Sequence, residues 1–378
     1  MKGGVGIRAL ALAYPETVRT NDYFRTNHAQ VLAEAQQKSL SRVWSPHKTT
    51  ESARDIFNEE MAPFLDDPFR GTVERRVLGP GESVYSLELR AAREALAAAA
   101  MSPGDVELLL CTSLLPQAVG IGDAAFLARD LGLRGTAWNF ESACSGALVG
   151  LQMACSLVRS GEYRNALVVV GCSYSQNTAE TDSLGWTCGD GAAAFLVSAV
   201  PEGSGVLGFK SLHTAETCGS LYYEMVAEAD QAPRMFLKAN PQAGKSLKVV
   251  SESSLRASCE GAVRAAGVSL EQIDFFVFNT PLAWYASFCA KMLGVALERT
   301  LNTFPLYANV GPVLMPTNLY HAAQAGRIKP GDLVLLYSIG SVSSAGAAVL
   351  RWGEVALGPS PVAEPPPVGA GHWRPGAR

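Results

Sequence analysis

Apolar residues fall along this chain in two alternating kinds of run. VELLLCTSLL (106–115) and ALVVVGCSYS (166–175) are short, continuous blocks that read as strands buried on both faces. SLELRAAREALAAAAM (86–101) and GALVGLQMACSLVRSG (146–161) are alanine-rich and read as helices. That alternation predicts an α/β protein built on parallel strands. The first residues, MKGGVGIRALALAYPETV, are strand-like and turn at Tyr14-Pro15, without the apolar block and cleavage site of a signal peptide.

The second half repeats the pattern of the first. SPGDVELLLCTS (102–113) is echoed by LEQIDFFVFNTP (270–281), and RSGEYRNALVVVGCS (159–173) by QAGRIKPGDLVLLYSIGS (324–341). GAAAFLV (191–197) returns as GAAVLRW (346–352). Three echoes in the same order predict a duplicated core, with one half over 1–200 and the other over 201–353. Residues 21–82 fall outside the pattern and read as a helical and irregular insertion, a cap or a substrate-facing region. The tail 354–378 carries six prolines, so it is expected to be disordered or loosely attached.

Composition narrows the function. Apolar residues make up 48% of the 378 and charged residues 17%, which allows a large core. A net charge of −4 gives no basic field for nucleic acid or an anionic membrane. No run of 18 residues is free of polar interruption, so no membrane span is expected. The eight cysteines contain no CxxC pair, which points to reduced thiols in a cytoplasmic protein and to no metal site.

One cysteine stands apart. In WNFESACSGALVGLQMACSLV (138–158) a strand ends, small polar residues follow, and a helix starts near Ser145 or Gly146. Cys144 therefore sits at a helix N-terminus, where unpaired N–H groups and the dipole favour a thiolate, with Gly146 and Ala147 leaving room for a substrate. Cys155, mid-helix and flanked by apolar residues, reads as core. Glu141 is the carboxylate nearest in sequence and is expected to be solvated or paired; Asp190, between glycines, reads as a turn residue.

On ESACSGALVGLQMA, CGDGAAAFLV (188–197), YANVGPVLMP (307–316) and GRIKPGDLVLLYSIGSVSSAGAAVLRW (326–352), the chain resembles the thiolase-fold condensing enzymes, most closely the 3-oxoacyl-(acyl-carrier-protein) synthase III group. The resemblance implies a duplicated five-layered αβαβα fold and a homodimer, with NALVVVGCS (165–173) as candidate pairing strand. It also implies an acyl group arriving as a CoA or phosphopantetheine thioester, with no resident cofactor. Such enzymes act through Cys, His and Asn. Cys144 matches the cysteine, and Asn309 matches the asparagine of the family's GNTSAA stretch. The histidine of PHQAN falls on Asn279, in FNTPLAW, thirty residues before Asn309. The backbone N–H of Ser341 matches the oxyanion-hole position that acts with the N–H of Cys144. Leu282 and Trp284 replace polar and basic residues that contact the pantetheine or carrier, and Gly311 replaces a small polar residue after Asn309; all three are pocket candidates.

A carboxamide cannot take up and return a proton as imidazole does. Of the five histidines, His213 is the best substitute, since the family's chain passes near the acyl-binding region there; His321 reads as packing or surface, His372 lies in the tail, and His28 and His47 complete the set. The leading expectation is an acyltransferase that loads Cys144 from acyl-CoA or acyl carrier protein and serves a specialised-metabolite, polyketide-like pathway. Decarboxylative Claisen condensation, with Asn279 and Asn309 as enolate donors, stays open. So does a non-catalytic subunit that binds a carrier protein.

Overall fold

The computed structural model describes residues 3–37, 55–227, 233–340 and 344–361. The strands run, in chain order, β1 (Gly4–Ala13), β2 (Val18–Thr20), β3 (Glu74–Arg76), β4 (Leu108–Ser113), β5 (Thr136–Asn139), β6 (Asn165–Ser173) and β7 (Asp190–Val200). They continue as β8 (Gly205–His213), β9 (Leu221–Val226), β10 (Arg234–Ala239), β11 (Phe275–Phe278), β12 (Leu333–Gly340), β13 (Ser344–Arg351) and β14 (Ala356–Leu357).

The echoes in the sequence become two sheets with one topology. The first has the order β14-β1-β7-β6-β4-β5 and the second β8-β13-β12-β11. In the first, β1–β7 and β7–β6 are antiparallel while β6–β4 is parallel. In the second, β8–β13 and β13–β12 are antiparallel while β12–β11 is parallel. Even the fifth strand leaves a trace, since Thr300 forms a lone parallel bridge to Phe276 where β5 flanks β4 in the first half.

Period-two alternation along each strand distributes its side chains between layers. Leu167 and Val169 of β6 face outward, onto Leu87, Ala91 and Ala95 of the helix Val84–Ala98. Ala166, Val168 and Val170 face inward, onto Leu148, Leu151 and Cys155 of the helix Gly146–Ser160. That helix shares the central layer with the helix Leu314–Gln324. Phe276 and Phe278 of β11 and Leu335 of β12 pack outward against the helices Ala243–Ala266 and Tyr285–Leu293. Helix, sheet, helix, sheet, helix is the expected five-layered order. Full burial on both faces is why these strands read as unbroken apolar blocks.

The described part of the insertion does not cap the nucleophile. Its helix Ile56–Met61 docks on the C-terminal half, with the Phe57 ring edge-on to Trp284 at 4.5 Å and to Phe288 at 5.4 Å. Asp55 pairs with Lys248 and Glu60 with Lys291. Residues 38–54 lie outside the described residues.

Two expectations need correction. β6 cannot be a pairing strand between subunits, because β4 and β7 occupy both of its edges. The free edge on that side of the sheet is β5, where Trp138 is exposed. The tail is not loose from its start, since Ala356–Leu357 adds to β1 in parallel. There Gly358 N–H donates to Leu10 C=O at 2.9 Å, and the Tyr320 hydroxyl donates to Gly358 C=O at 2.8 Å. Proline-rich sequence gave no sign of this because two residues suffice. Residues 362–378 lie outside the described residues. A chain ending at Gly353 should lose about 1–3 kcal/mol relative to one ending at Pro361, since it strands the Tyr320 hydroxyl and the Leu10 carbonyl. Urea denaturation of the two checks this, and equal midpoints would show that the strand contributes nothing.

Candidate active site

Cys144 lies in a tight turn, Ala143–Ser145, that runs directly into the helix Gly146–Ser160. Ala143 takes φ 47°, a left-handed conformation that costs a residue with a Cβ of order 1–3 kcal/mol. The surroundings hold it there. Ser145 N–H donates to Ser142 C=O at 3.1 Å, and the hydroxyls of Ser142 and Ser344 lie 2.7 Å apart. A Cβ on Gly340 would stand 3.0 Å from Ser142 O, so β12 ends in glycine where it meets the turn.

The backbone carbonyl of Cys144 is gripped from the other half of the molecule. Asn279 Nδ2 donates to it at 3.4 Å and the Ser338 hydroxyl at 3.1 Å. Asn279 is fully buried, and its Oδ1 has no hydrogen-bond partner among the described residues. The structure therefore brings the residue at the histidine position onto the nucleophile's peptide. Asn309 is half-buried, and its Oδ1 accepts the N–H of Gly311 at 2.9 Å, closing its own loop. That loop brings Gly311 (φ 55°) into the site, where a Cβ would fall 2.4 Å from Leu114 Cδ1 and 3.4 Å from Tyr174 OH.

Cys144 lines an apolar cavity of ≈ 280 Å³, walled by Leu114, Tyr174, Tyr223 and Leu237, with Glu141 and Ala143 also in its lining. The Tyr174 hydroxyl is 3.7 Å from Sγ. Burial pushes the Tyr174 phenol well up, so it stays protonated and can donate to a thiolate. The far wall comes from the β9–β10 hairpin. Tyr174, Tyr223 and Ser338 were missed by sequence reasoning. Tyr174 follows directly on the strand β6, and that position was the one signal available.

Other expected residues fall elsewhere. Leu282 and Trp284 are core, sealed under Phe57 and Phe288, and do not line the cavity; an apolar side chain in a loop before a helix simply found a hydrophobic neighbour. His213 ends β8 opposite Ser344 with its side chain exposed, and no hydrogen bond among the described residues joins it to Cys144, Asn279 or Asn309. His321 is buried, stacked on Tyr307, with Nε2 2.9 Å from that hydroxyl; burial pushes its pKa down to about 4. Asp190 is buried at the start of β7 and accepts N–H bonds from Leu78 (2.7 Å) and Ser175 (2.8 Å), which makes it a tie between loops. Ser341 lies outside the described residues, although Gly340 and Ser344 on either side both reach the Cys144 turn.

Six of the remaining seven cysteines are buried. Burial raises the thiol pKa of Cys111, Cys172, Cys188, Cys259 and Cys289, and pushes Cys155 up to about 12. Cys218 is exposed.

Comparison with known proteins supports the fold and gives the family. A family model described as 3-oxoacyl-[acyl-carrier-protein] synthase III covers residues 139–214, and its C-terminal counterpart covers 263–352. The beta-ketoacyl-[acyl-carrier-protein] synthase III of Gloeobacter violaceus is 33% identical over 295 residues, 75% of this chain and 88% of that relative. The chain belongs to the 3-oxoacyl-(acyl-carrier-protein) synthase III family. Its members are acyl-transferring condensing enzymes. The Brucella suis synthase III is 29% identical over 296 residues, with the same coverage. Among solved structures, synthase III from Thermus thermophilus superposes with a TM-score of 0.73 at 25% identity, covering 92% of this chain and 99% of that one. OleA of Xanthomonas campestris, in a variant solved with lauric acid and lauroyl-CoA, shares the fold at TM-score 0.72 and 20% identity, covering 93% and 100%.

The grip on Cys144 can be measured. Asn279→Ala and Ser338→Ala should each cost about 0.5–1.5 kcal/mol by loss of one hydrogen bond. Because both donors serve one acceptor, the double variant should depart from additivity. Strict additivity in a double-mutant cycle would mean that the two contacts are independent of the shared carbonyl.

Proposed function

We propose that this synthase III-family protein is an acyltransferase that loads Cys144 from an acyl-CoA or acyl-carrier-protein thioester. It then passes the acyl group to a second substrate, in a specialised-metabolite, polyketide-like pathway in place of fatty-acid initiation. The observation that carries this reading is the Cys144 sulfur at a helix N-terminus, opening on an apolar cavity, with a buried carboxamide where the family has imidazole. Aliphatic and aromatic walls suit an acyl chain. The volume falls just below the usual range of ligand pockets (~300–1,000 Å³), which favours a short one. The carrier is supported by the names of the relatives, and CoA by the OleA complex with lauroyl-CoA.

Decarboxylative condensation is the second reading. Asn279 beside Cys144 favours it, since an amide N–H could serve a developing enolate oxygen. Against it, Nδ2 of Asn279 already serves the Cys144 carbonyl. A carrier-binding subunit without catalysis has no use for a thiol so placed. A homodimer through the free β5 edge is supported by exposed Trp138, Val119 and Ile121 on that side.

Incubation with acyl-CoA and acyl-carrier donors should add one acyl mass per chain, mapped by digestion to Cys144 and lost in Cys144→Ala. An adduct that survives Cys144→Ala would refute the assignment. Products that form only with malonyl donors would transfer support to the condensation reading.

A further inference from the structure

Two carboxamides stand where the family's proton-transfer chemistry would sit, and neither can hold a proton near neutral pH. Among the described residues, only one charged side chain lines the Cys144 cavity, and it is Glu141. The same residue lines a second, more open cavity of ≈ 400 Å³ beside the β5 edge, bounded by Thr112, Pro116, Ile121 and Phe140, where it is again the only charged residue. Glu141 and Leu114 thus form the partition between the chamber that holds the thiol and a chamber open to solvent.

The carboxyl is fixed in place. Ala143 N–H donates to its Oε1 at 2.5 Å, which ties it to the residue before the nucleophile. Its pKa is raised, chiefly by burial of the carboxyl among the cavity walls, against lowering by N–H groups of Ala143 and Ser142 and by Thr112. The groups that share its chamber are Cys144, Tyr174, Tyr222 and Tyr223, and none of them carries a positive charge.

We propose that Glu141 is the general base of acyl transfer, taking the acceptor's proton from the side of the second cavity. This role rests on the acyl-Cys144 reading above. The acceptor's oxygen or nitrogen bonds to the thioester carbonyl carbon as its O–H or N–H bond breaks, and the proton passes to the Glu141 carboxylate. The tetrahedral oxyanion collapses, the C–S bond breaks, and the Cys144 sulfur leaves as thiolate. Glu141 then returns the proton to that sulfur, so both groups regain their starting states and nothing is oxidised or reduced.

A purely structural role, capping the N–H groups of the turn, predicts different behaviour. Glu141→Gln keeps an oxygen that accepts from Ala143 but cannot take a proton. The test loads the full-length enzyme from p-nitrophenyl acetate or acetyl-CoA, isolates acetyl-Cys144, and follows its decay to water and to glycinamide between about pH 5 and about pH 8. The wild-type rate should rise with pH through an inflection above the ordinary carboxylate range, as protons leave Glu141. Glu141→Gln should still form the adduct, lose the inflection, and decay at least ~100-fold more slowly. Glu141→Asp should recover an inflection, which a cap alone would not require. Decay of the Gln variant at the wild-type rate overturns the role. So does a wild-type profile without that inflection, a result that needs no variant to fold. A wild-type enzyme that takes no acetyl group from either donor overturns the acyl-Cys144 reading and this role with it, whereas an adduct with Glu141-independent decay overturns this role alone.

Discussion

The carbonyl of Cys144 is the point on which the rest of the site depends. It belongs to the N-terminal half, while its two donors, Asn279 and Ser338, come from the ends of β11 and β12 in the C-terminal half. Two halves with one topology could slide against each other without losing apolar burial, which is non-directional. Hydrogen bonds to a buried carbonyl are directional and costly to leave unmade, so they fix the relative position of the halves at the nucleophile. The left-handed Ala143 and the glycine at 340 follow from that constraint, since the turn must present its carbonyl to β12 and its sulfur to the cavity.

The segment FNTPLAW shows how one local change spreads. With asparagine at 279 the residue anchors backbone and cannot relay protons. Three and five residues later, Leu282 and Trp284 turn into the outer layer and receive the insertion helix through Phe57. The ion pairs Asp55–Lys248 and Glu60–Lys291 flank that contact. Buried rings supply the attraction here, and the charged pairs at its margin fix the register. A region that the resemblance assigned to substrate contact is thereby packed away from the cavity, one wall of which is formed by the β9–β10 hairpin.

The five layers were legible because strands buried on both faces leave continuous apolar blocks, and because the duplication writes each block twice. Cys144 was legible for a local reason, as small polar residues between a strand and a helix mark a turn that exposes a thiol. What escaped was set by distant partners. Nothing near Trp284 announces Phe57, and nothing in ALGPS announces that Ala356–Leu357 will pair with β1. The pairing strand taken from the resemblance misled as well, since β6 has neighbours on both edges. His213 was placed by position along the chain, while its register opposite Ser344 leaves its side chain facing solvent.

In the role proposed for Glu141, charge inside the cavity would order the chemistry in time. A thiolate at Cys144 and a carboxylate at Glu141 on one apolar wall repel each other, and low local polarity strengthens that repulsion. The state in which both are ionised is therefore disfavoured. Forming the thioester removes the charge from sulfur. The carboxyl then ionises without a repelling neighbour, just when a proton must be taken from the incoming acceptor. Expelling the thiolate sets it beside a protonated Glu141, and the proposed return of that proton to sulfur moves the single negative charge back to the carboxylate. An imidazole beside the sulfur would instead stabilise the thiolate as an ion pair from the start. Under the proposed role, a carboxamide in its place and a carboxylate as base would couple proton release to the acyl state of the cysteine.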